Sequence, residues 1–243
     1  MKTNLKMKAL NFDQAKVLSG SALKLIACLS MLSDHLAKFY INRFVWVNTV
    51  WFTVAGKSIS CMELMLLFGR FAFPIFAFLL VVGFEHTRNR MRYGFSLFIL
   101  ALLSEIPFNL MNGNALLYPK QNVMFTLLLG YLAMCSLTYF KQKSVLKLLV
   151  LVIMFMVTRY FHADYQTGGF LFILLMYGLR KENIIRLVVS PVLLPMKAMV
   201  FLSLLLTVFY NGKRGFIKSP FWKYFFYAFY PLHMLIIYLL SLI

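Results

Sequence analysis

The sequence predicts an all-α protein, a polytopic bundle of about nine transmembrane helices whose N-terminus lies in the cytoplasm. Of its 243 residues, 62% are hydrophobic and 13% are charged, and the mean hydropathy is +0.80. A soluble domain usually contains about 45–50% apolar and about 25% charged residues, so a soluble fold is excluded. The apolar residues form runs without a period of two, which favours helices over the strands of a membrane barrel.

Charge-poor runs mark the individual spans. The first follows four lysines near the N-terminus and continues through Asp34 and His35 to Ile41. Because no small-residue cleavage site follows, we expect an uncleaved helix and not a signal peptide. The other eight predicted spans are 71–84, 93–113, 121–140, 148–158, 168–179, 184–195, 198–210 and 224–243. Several are shorter than the about 20 residues of a full crossing, and an additional half-span is expected within 44–67.

Clusters of lysine and arginine indicate the orientation of the bundle. The clusters are the N-terminus, 86–92, 141–147, 180–186 and 213–223. Basic loops stay on the cytoplasmic side of a membrane, so nine spans place every cluster inside and Ile243 outside. Without a soluble domain or a repeat, one membrane domain is expected over the whole chain, with a basic cytoplasmic segment at 1–20 and the bundle at 21–243.

The formal net charge of +18 arises from these clusters between apolar runs. Nucleic-acid binding needs cations concentrated on one face or in a tail, so no nucleic-acid partner is expected. Membrane anchoring is the first interpretation of the clusters, and attraction of a polyanionic ligand or an anionic lipid is the second. Cys28, Cys61 and Cys135 lack the spacing of metal ligands, and no metal site is predicted.

Ionisable side chains within the spans are the main signal for a functional site, because each costs at least about 2.5–3.5 kcal/mol at the centre of a membrane helix. The first span carries Lys24, Asp34 and His35. Lys24 and His35 are eleven residues apart and share a helical face. Asp34 points away from His35, so it is expected to pair with Lys38 or with a cation of another helix. Interfacial snorkelling of Lys24, and a purely structural Asp34-His35 pair, are the alternatives.

Two prolines coincide with polar residues of later spans. Pro74 removes a helical bond to the carbonyl of Arg70, and Pro107 follows Glu105 in the third span. The predicted topology places these and other polar residues at a similar depth, in the outer half or near the middle of the membrane. The residues are His35, Arg70, Glu105, Asn122, Asp164 and His233. We therefore predict that they surround one cavity between helices.

The same residues lie in six motifs with a recognisable order. They are Lys24 with Asp34-His35, and the stretches 69–76, 104–110, 122–130, 163–165 and 229–233. Together they resemble the TraX family of F-pilin acetylation proteins, within a wider group of membrane acyltransferases. Asp164-Tyr165 is followed by Gln166, where the family motif is a compact Asp-Tyr-Gly. The resemblance implies a multi-pass N-acetyltransferase of the inner, cytoplasmic membrane that uses acetyl-CoA.

The resemblance also suggests roles for individual residues. His35 is the expected general base, Asp34 and Arg70 tune and position the site, and His233 is a second polar group or oxyanion donor. The acceptor pocket is expected from Glu105, Asn109, Asn122, Asp164 and Tyr230. Acetyl-CoA is expected to enter from the cytoplasm, with its phosphates near Lys24, Arg88 and Arg92. A covalent acetyl-histidine route is equally permitted.

The expected acceptor is an amine or a hydroxyl group, and the expected partners are membrane lipid, acetyl-CoA and a small pilin-like protein or another cell-envelope component. Two other functions fit the same residues. Buried charges and broken helices are also found in transporters and channels, although no corresponding halves are visible here. A non-enzymatic factor for pilus or conjugation assembly is the other alternative.

Overall fold

The computed structural model describes residues 16–54, 56–217 and 219–243 and is mostly helical. The predicted cytoplasmic segment 1–20 therefore lies mostly outside the described residues. The helices are α1 (Gly20–Phe39), α2 (Val45–Asn48), α3 (Cys61–Gly69), α4 (Ala72–His86), α5 (Arg90–Gly113), α6 (Val123–Tyr139), α7 (Ser144–Tyr160), α8 (Gln166–Gly178), α9 (Asn183–Val189), α10 (Lys197–Val208) and α11 (Pro220–Ser241). Strands β1 (Val50–Val54) and β2 (Lys57–Ser60) form an antiparallel hairpin.

Three helical stretches of the described chain are long and apolar enough to cross a membrane. They are Cys61–His86, Arg90–Gly113 and Tyr224–Ser241. The chain is thus a helical membrane protein. Several other apolar helices have only 10–17 residues, which is short of the about 20 residues that span a bilayer. The count of nine spans and the cytoplasmic N-terminus remain predictions.

The segment 44–60 differs from the half-span predicted within 44–67. It forms the short helix α2 and the hairpin of β1 and β2, and helix α3 begins only at Cys61. The run Val50–Val54 is rich in β-branched and aromatic residues, and Gly56 takes a φ of +76° in the turn. These local preferences favour a hairpin over a helix. The second span accordingly starts at Cys61, ahead of the predicted residue 71.

The lost helical bond at Pro74 predicts a kink near Arg70, and the structure has a complete break there. Helix α3 ends at Gly69, Phe71 donates to the carbonyl of Phe68 (3.0 Å), and α4 starts at Ala72. Since proline has no N–H, the carbonyl of Arg70 lacks its helical donor. The break leaves Arg70 between two helices, beside the site described below.

Hydrogen bonds between distant segments define one end of the bundle. The backbone N–H of Gly20 donates to the carbonyl of Lys213 (2.9 Å), and Arg180 Nε donates to Glu85 Oε1 (2.7 Å). Gly69, just before α4, packs against Asp34 in the second half of α1, so α4 runs back toward the start of α1. The predicted clusters 86–92, 180–186 and 213–223 therefore lie at the same end as the start of α1. We call this the basic end.

The opposite end contains the hairpin. Arg43 Nη2 donates to the carbonyl of Ser241 (3.0 Å), which joins the end of α1 to the end of α11. The N–H of Asp164 donates to the carbonyl of Gln121 (2.9 Å), which joins the loop before α8 to the start of α6. We call this the hairpin end.

The core lies around helix α4. Nine of its fifteen residues are buried, whereas α7 is peripheral and buries Thr158. Helices α1, α6, α8 and α10 pack against α4, and α6 and α8 contribute the large core side chains Tyr131 and Phe172. Helix α1 packs against both α4 and α11, and this arrangement positions the candidate site.

Candidate functional site

A cavity of about 530 Å³ lies between α1, α4, α5, α6 and α11. It reaches from the basic end to the hairpin end, with mostly apolar walls between. At the basic end its lining includes Lys24, His86, Tyr93, Arg214 and Tyr227. At the hairpin end its lining includes Asp34, His35, Asp164, Tyr165 and Tyr230. Apolar walls with a few polar groups at either end are typical of a ligand site.

His35 and His233 form a direct pair at the hairpin end. His35 Nδ1 lies 2.8 Å from His233 Nε2, and the planes of the two rings are parallel to within 1°. His233 Nδ1 lies 2.7 Å from the carbonyl oxygen of Phe229. A carbonyl can only accept, so His233 Nδ1 carries the proton, and Nε2 of the neutral ring accepts from His35 Nδ1.

This tautomer leaves His35 Nε2 unprotonated in the neutral pair. His35 lines the cavity, whereas His233 is 5% exposed and lies behind it. His35 Nε2 is therefore the ring nitrogen that can take a proton from a molecule in the cavity. Both ring nitrogens of His233 are engaged, so its geometry favours positioning His35 over the role of oxyanion donor.

Asp34 is held by its own helix and by the end of α3. Its Oδ2 accepts from Lys38 one turn later, as the sequence predicts, and its Oδ1 is buried without a hydrogen-bond partner in the described chain. A Cβ atom at Gly69 would lie 2.5 Å from the Cβ of Asp34. Glycine thus permits the close approach of α3 to the carboxylate. Ser30 Oγ strengthens this approach by donating to the carbonyl of Phe68 (2.7 Å).

Arg70 lies at the break between α3 and α4, next to the loop that precedes α8. Its Nε is buried without a hydrogen-bond partner among the described residues. Burial raises the pKa of the Tyr165 phenol, and Asp164 adds to this rise while the positive charge of Arg70 opposes it. Arg70 is near the hairpin end of the cavity but is not part of its lining.

The loop with Asp164 and Tyr165 is strained. His162, Tyr165 and Gln166 have φ values of +48°, +63° and +43°, which are costly for residues other than glycine. Gln166 replaces the glycine of the family motif and keeps the left-handed conformation that glycine favours. Asp164 is an exposed residue that lines the cavity, and the partial loss of water around its carboxyl raises its pKa.

Three predicted acceptor residues form a structural link behind the cavity. Asn122 Nδ2 donates to the carbonyl of Ala101 (2.9 Å) and to Glu105 Oε2 (2.5 Å), while its Oδ1 caps α6. Asn109 Nδ2 donates to the carbonyl of Leu116 (2.8 Å). None of the three lines the cavity as described. Of the predicted acceptor residues, the cavity brings together Asp164 and Tyr230.

Of the residues predicted to bind the phosphates of acetyl-CoA, one lines the cavity and two do not. Lys24 lines the basic end of the cavity, whereas Arg88 and Arg92 are exposed and lie outside its lining. Arg214 lines the cavity in their place. Its carbonyl accepts from the N–H (2.9 Å) and the Oγ (2.6 Å) of Ser21, which fixes the segment against α1. No local signal indicates this contact, because 193 residues separate the two positions.

Arg186 is a second residue that the sequence reasoning missed. It belongs to a predicted cytoplasmic basic cluster, but it is 3% exposed. Its guanidinium lies 4.9 Å from the ring centroid of Phe78, and Nη2 donates to Thr207 Oγ1 (3.4 Å). Helix α9 packs against α10, which places the Arg186 side chain between α10 and α4. In the described chain, no group of three or more His, Cys, Asp or Glu residues could hold a metal ion.

Similarity to known proteins identifies the family to which this chain belongs. No solved structure matches this one. A probable fimbrial assembly protein, FimC of serogroup H1 from Dichelobacter nodosus, is 26% identical over 89% of this chain and 93% of its own length. The family model of the TraX protein matches residues 19–241. This match covers nearly the whole helical bundle with its cavity and its histidine pair, and the chain therefore belongs to the TraX family.

Proposed function

We propose that this protein is a multi-pass acetyltransferase of the inner membrane, which moves an acetyl group from cytosolic acetyl-CoA to an amine or hydroxyl group of a small pilin-like protein. The observation that carries this proposal is the His35–His233 pair. In the neutral pair Nε2 of His35 is unprotonated, and His35 lines a cavity that cationic side chains line at the other end. The basic end of the cavity would bind acetyl-CoA, and the hairpin end would bind the acceptor.

The proposed chemistry begins at His35. For an amine acceptor, His35 Nε2 takes a proton as the acceptor nitrogen attacks the thioester carbonyl carbon. The new N–C bond forms, the C–S bond breaks, and the proton passes from His35 to the leaving thiolate. A hydroxyl acceptor would react in the same way through oxygen. His233 holds the ring in place and stabilises its charged form through the same hydrogen bond.

Two phenols supply candidate donors for the developing oxyanion. Tyr165 and Tyr230 line the same end of the cavity as His35, and an O–H group near the reacting carbonyl would stabilise its negative charge. Asp34 lines the same end of the cavity, and its carboxylate is proposed to help orient the acceptor. Arg70 would position Tyr165 through its charge.

The basic end is proposed to bind the nucleotide part of acetyl-CoA. Lys24 and Arg214 line it, and cationic side chains bind phosphate oxygens through charge-assisted hydrogen bonds. Arg88 and Arg92 would act at a distance by raising the local concentration of a polyanion. The acetyl group would then reach His35 through the apolar middle of the cavity.

The similarity to a probable fimbrial assembly protein supports a role at the pilus. It also favours a second candidate function, a non-enzymatic factor that assembles the pilus. The two functions differ in their need for His35. A catalytic role requires this side chain, whereas an assembly role depends on the outer surfaces of the bundle.

The test uses purified protein in lipid nanodiscs, labelled acetyl-CoA and membranes from cells without the gene. We expect the wild-type protein to label a small membrane protein, and His35→Gln to abolish labelling. His162→Gln is the matched control, because His162 is an exposed histidine at the same end. Equal labelling by His35→Gln and wild type would exclude the proposed base. No labelling by wild type, with pilus assembly in cells still dependent on the gene, would favour the assembly role.

A further inference from the structure

The hairpin end carries an unusual amount of exposed apolar surface. We define the aromatic hairpin as residues 44–54 and 56–60. Val45 is 85% exposed, Trp46 is 60% exposed and Trp51 is 57% exposed. Its other exposed large apolar residues are Phe44, Val50, Phe52 and Val54.

This surface is not suited to water. All five residues of β1 are exposed, so the hairpin presents apolar side chains on both of its faces. A two-stranded hairpin has little stability of its own in water, and large exposed apolar patches usually mark a contact with a partner or a membrane. The hairpin therefore needs an apolar neighbour on both sides.

Its position in the fold points to the membrane surface. The hairpin precedes the span Cys61–His86, and Arg43 ties its beginning to the last turn of the span Tyr224–Ser241. The hairpin thus lies at the level where two membrane spans reach the same end. Tryptophan is enriched at this level, because its ring is apolar and its N–H remains hydrated.

The other tryptophan and the local charge agree with this position. The chain has three tryptophans, and the third, Trp222, lies just before the span Tyr224–Ser241 at the basic end. The stretch 42–60 contains Arg43 and Lys57 but no acidic residue, which suits phosphate headgroups. Headgroup water can also satisfy the free edge of β1, whereas the hydrocarbon core cannot.

We propose that the aromatic hairpin is a membrane-interface anchor, immersed in the headgroup layer of the leaflet at the hairpin end. It would set the depth of the end of α1 and the start of α3. Asp34 and Gly69, which pack against each other, lie on these two helices. The anchor would thus hold the hairpin end of the cavity, where His35 lies, near the lipid surface.

Tryptophan fluorescence tests the depth of the hairpin in vesicles of phosphatidylethanolamine and phosphatidylglycerol. The Trp222→Phe variant reports on Trp46 and Trp51, and the double variant Trp46→Phe/Trp51→Phe reports on Trp222. Brominated lipids probe the depth, with bromine either near the headgroup or near the end of the acyl chain. The wild-type protein, measured in parallel, shows whether the variants retain the native environment.

For Trp46 and Trp51 we expect stronger quenching by bromine near the headgroup than by bromine deep in the chain, and weak quenching by aqueous iodide. Strong iodide quenching without lipid quenching would place the hairpin in water and overturn the proposal. Protection from both quenchers would show that protein covers the hairpin and would equally overturn it. The fluorescence measurement does not depend on acetyl transfer, so its result stands even if the protein lacks the proposed activity.

Discussion

Nδ1 of His35 lies 2.8 Å from Nε2 of His233, although 198 residues separate them in the chain. The carbonyl of Phe229 fixes the proton on the far side of His233, so Nε2 of His35, which lines the cavity, keeps its lone pair in the neutral pair. A positioning histidine and a catalytic histidine should respond differently to substitution.

His233→Phe should lower kcat by about 10- to 100-fold with little change in KM for acetyl-CoA, because the ring of His35 loses its partner but keeps its place in the cavity. His35→Gln should lower kcat by about 10²- to 10⁴-fold, the usual contribution of a general base. Steady-state acetyl transfer measures both. A larger loss for His233→Phe than for His35→Gln would reverse the assigned roles.

Lys24→Ala and Arg214→Ala should each raise KM for acetyl-CoA about tenfold, since a hydrogen bond to a charged group contributes about 1.5–3 kcal/mol and these side chains are partly exposed. Arg88→Ala is the control, because Arg88 is exposed and lies outside the cavity lining. Steady-state kinetics with varied acetyl-CoA at several salt concentrations would measure these changes in KM. An effect of Arg88→Ala as large as that of Arg214→Ala would contradict the proposed phosphate site.

Gly69→Ala should destabilise the protein by about 1–3 kcal/mol, because the new Cβ would lie 2.5 Å from the Cβ of Asp34. Gly178→Ala is a matched control, since a Cβ there meets no atom within 4 Å. It should leave stability unchanged or raise it by up to about 1 kcal/mol. Thermal unfolding in detergent compares the two variants, and similar melting temperatures would argue against the close α1–α3 packing.

Gln166→Gly should stabilise the loop before α8 by about 1 kcal/mol, because Gln166 has a φ of +43° and glycine takes this conformation without a steric cost. Gln166→Ala should give no such gain, since alanine keeps its Cβ. The measurement is again thermal unfolding. Equal melting temperatures for the two variants would show that the backbone at this position is not strained.

Asp164 should make stability depend on pH in a defined direction. The partial loss of water around its carboxyl raises its pKa above the usual 3.8, so the folded protein keeps a proton that the unfolded chain has already released. This contribution to stability is complete below pH 3.8 and is lost as the pH rises through the pKa of the folded state. Over that window, Asp164→Asn should lose less stability than the wild type. Thermal unfolding of both proteins at several pH values measures this difference. An equal change of melting temperature with pH in the two proteins would contradict the raised pKa of Asp164.

Local patterns along the chain are enough to predict several features. Hydropathy predicts a helical membrane protein, the loss of the proline N–H at Pro74 predicts a kink where α3 ends, and the spacing of Asp34 and Lys38 predicts their ion pair. Each depends on residues within about one or two helical turns. The TraX resemblance also came from the order of short motifs, and residues 19–241 match that family.

Other features were decided by tertiary structure. The partner of His35 is on α11, and Arg214, not Arg88 or Arg92, lines the basic end of the cavity. Asn122 joins Glu105 behind the cavity, away from the predicted acceptor pocket. The hydropathy and spacing of single helices do not encode such relationships, because they depend on which helix faces pack together. The sequence alone therefore determined the membrane fold and the polar residues of interest, while helix packing selected which of them share a cavity.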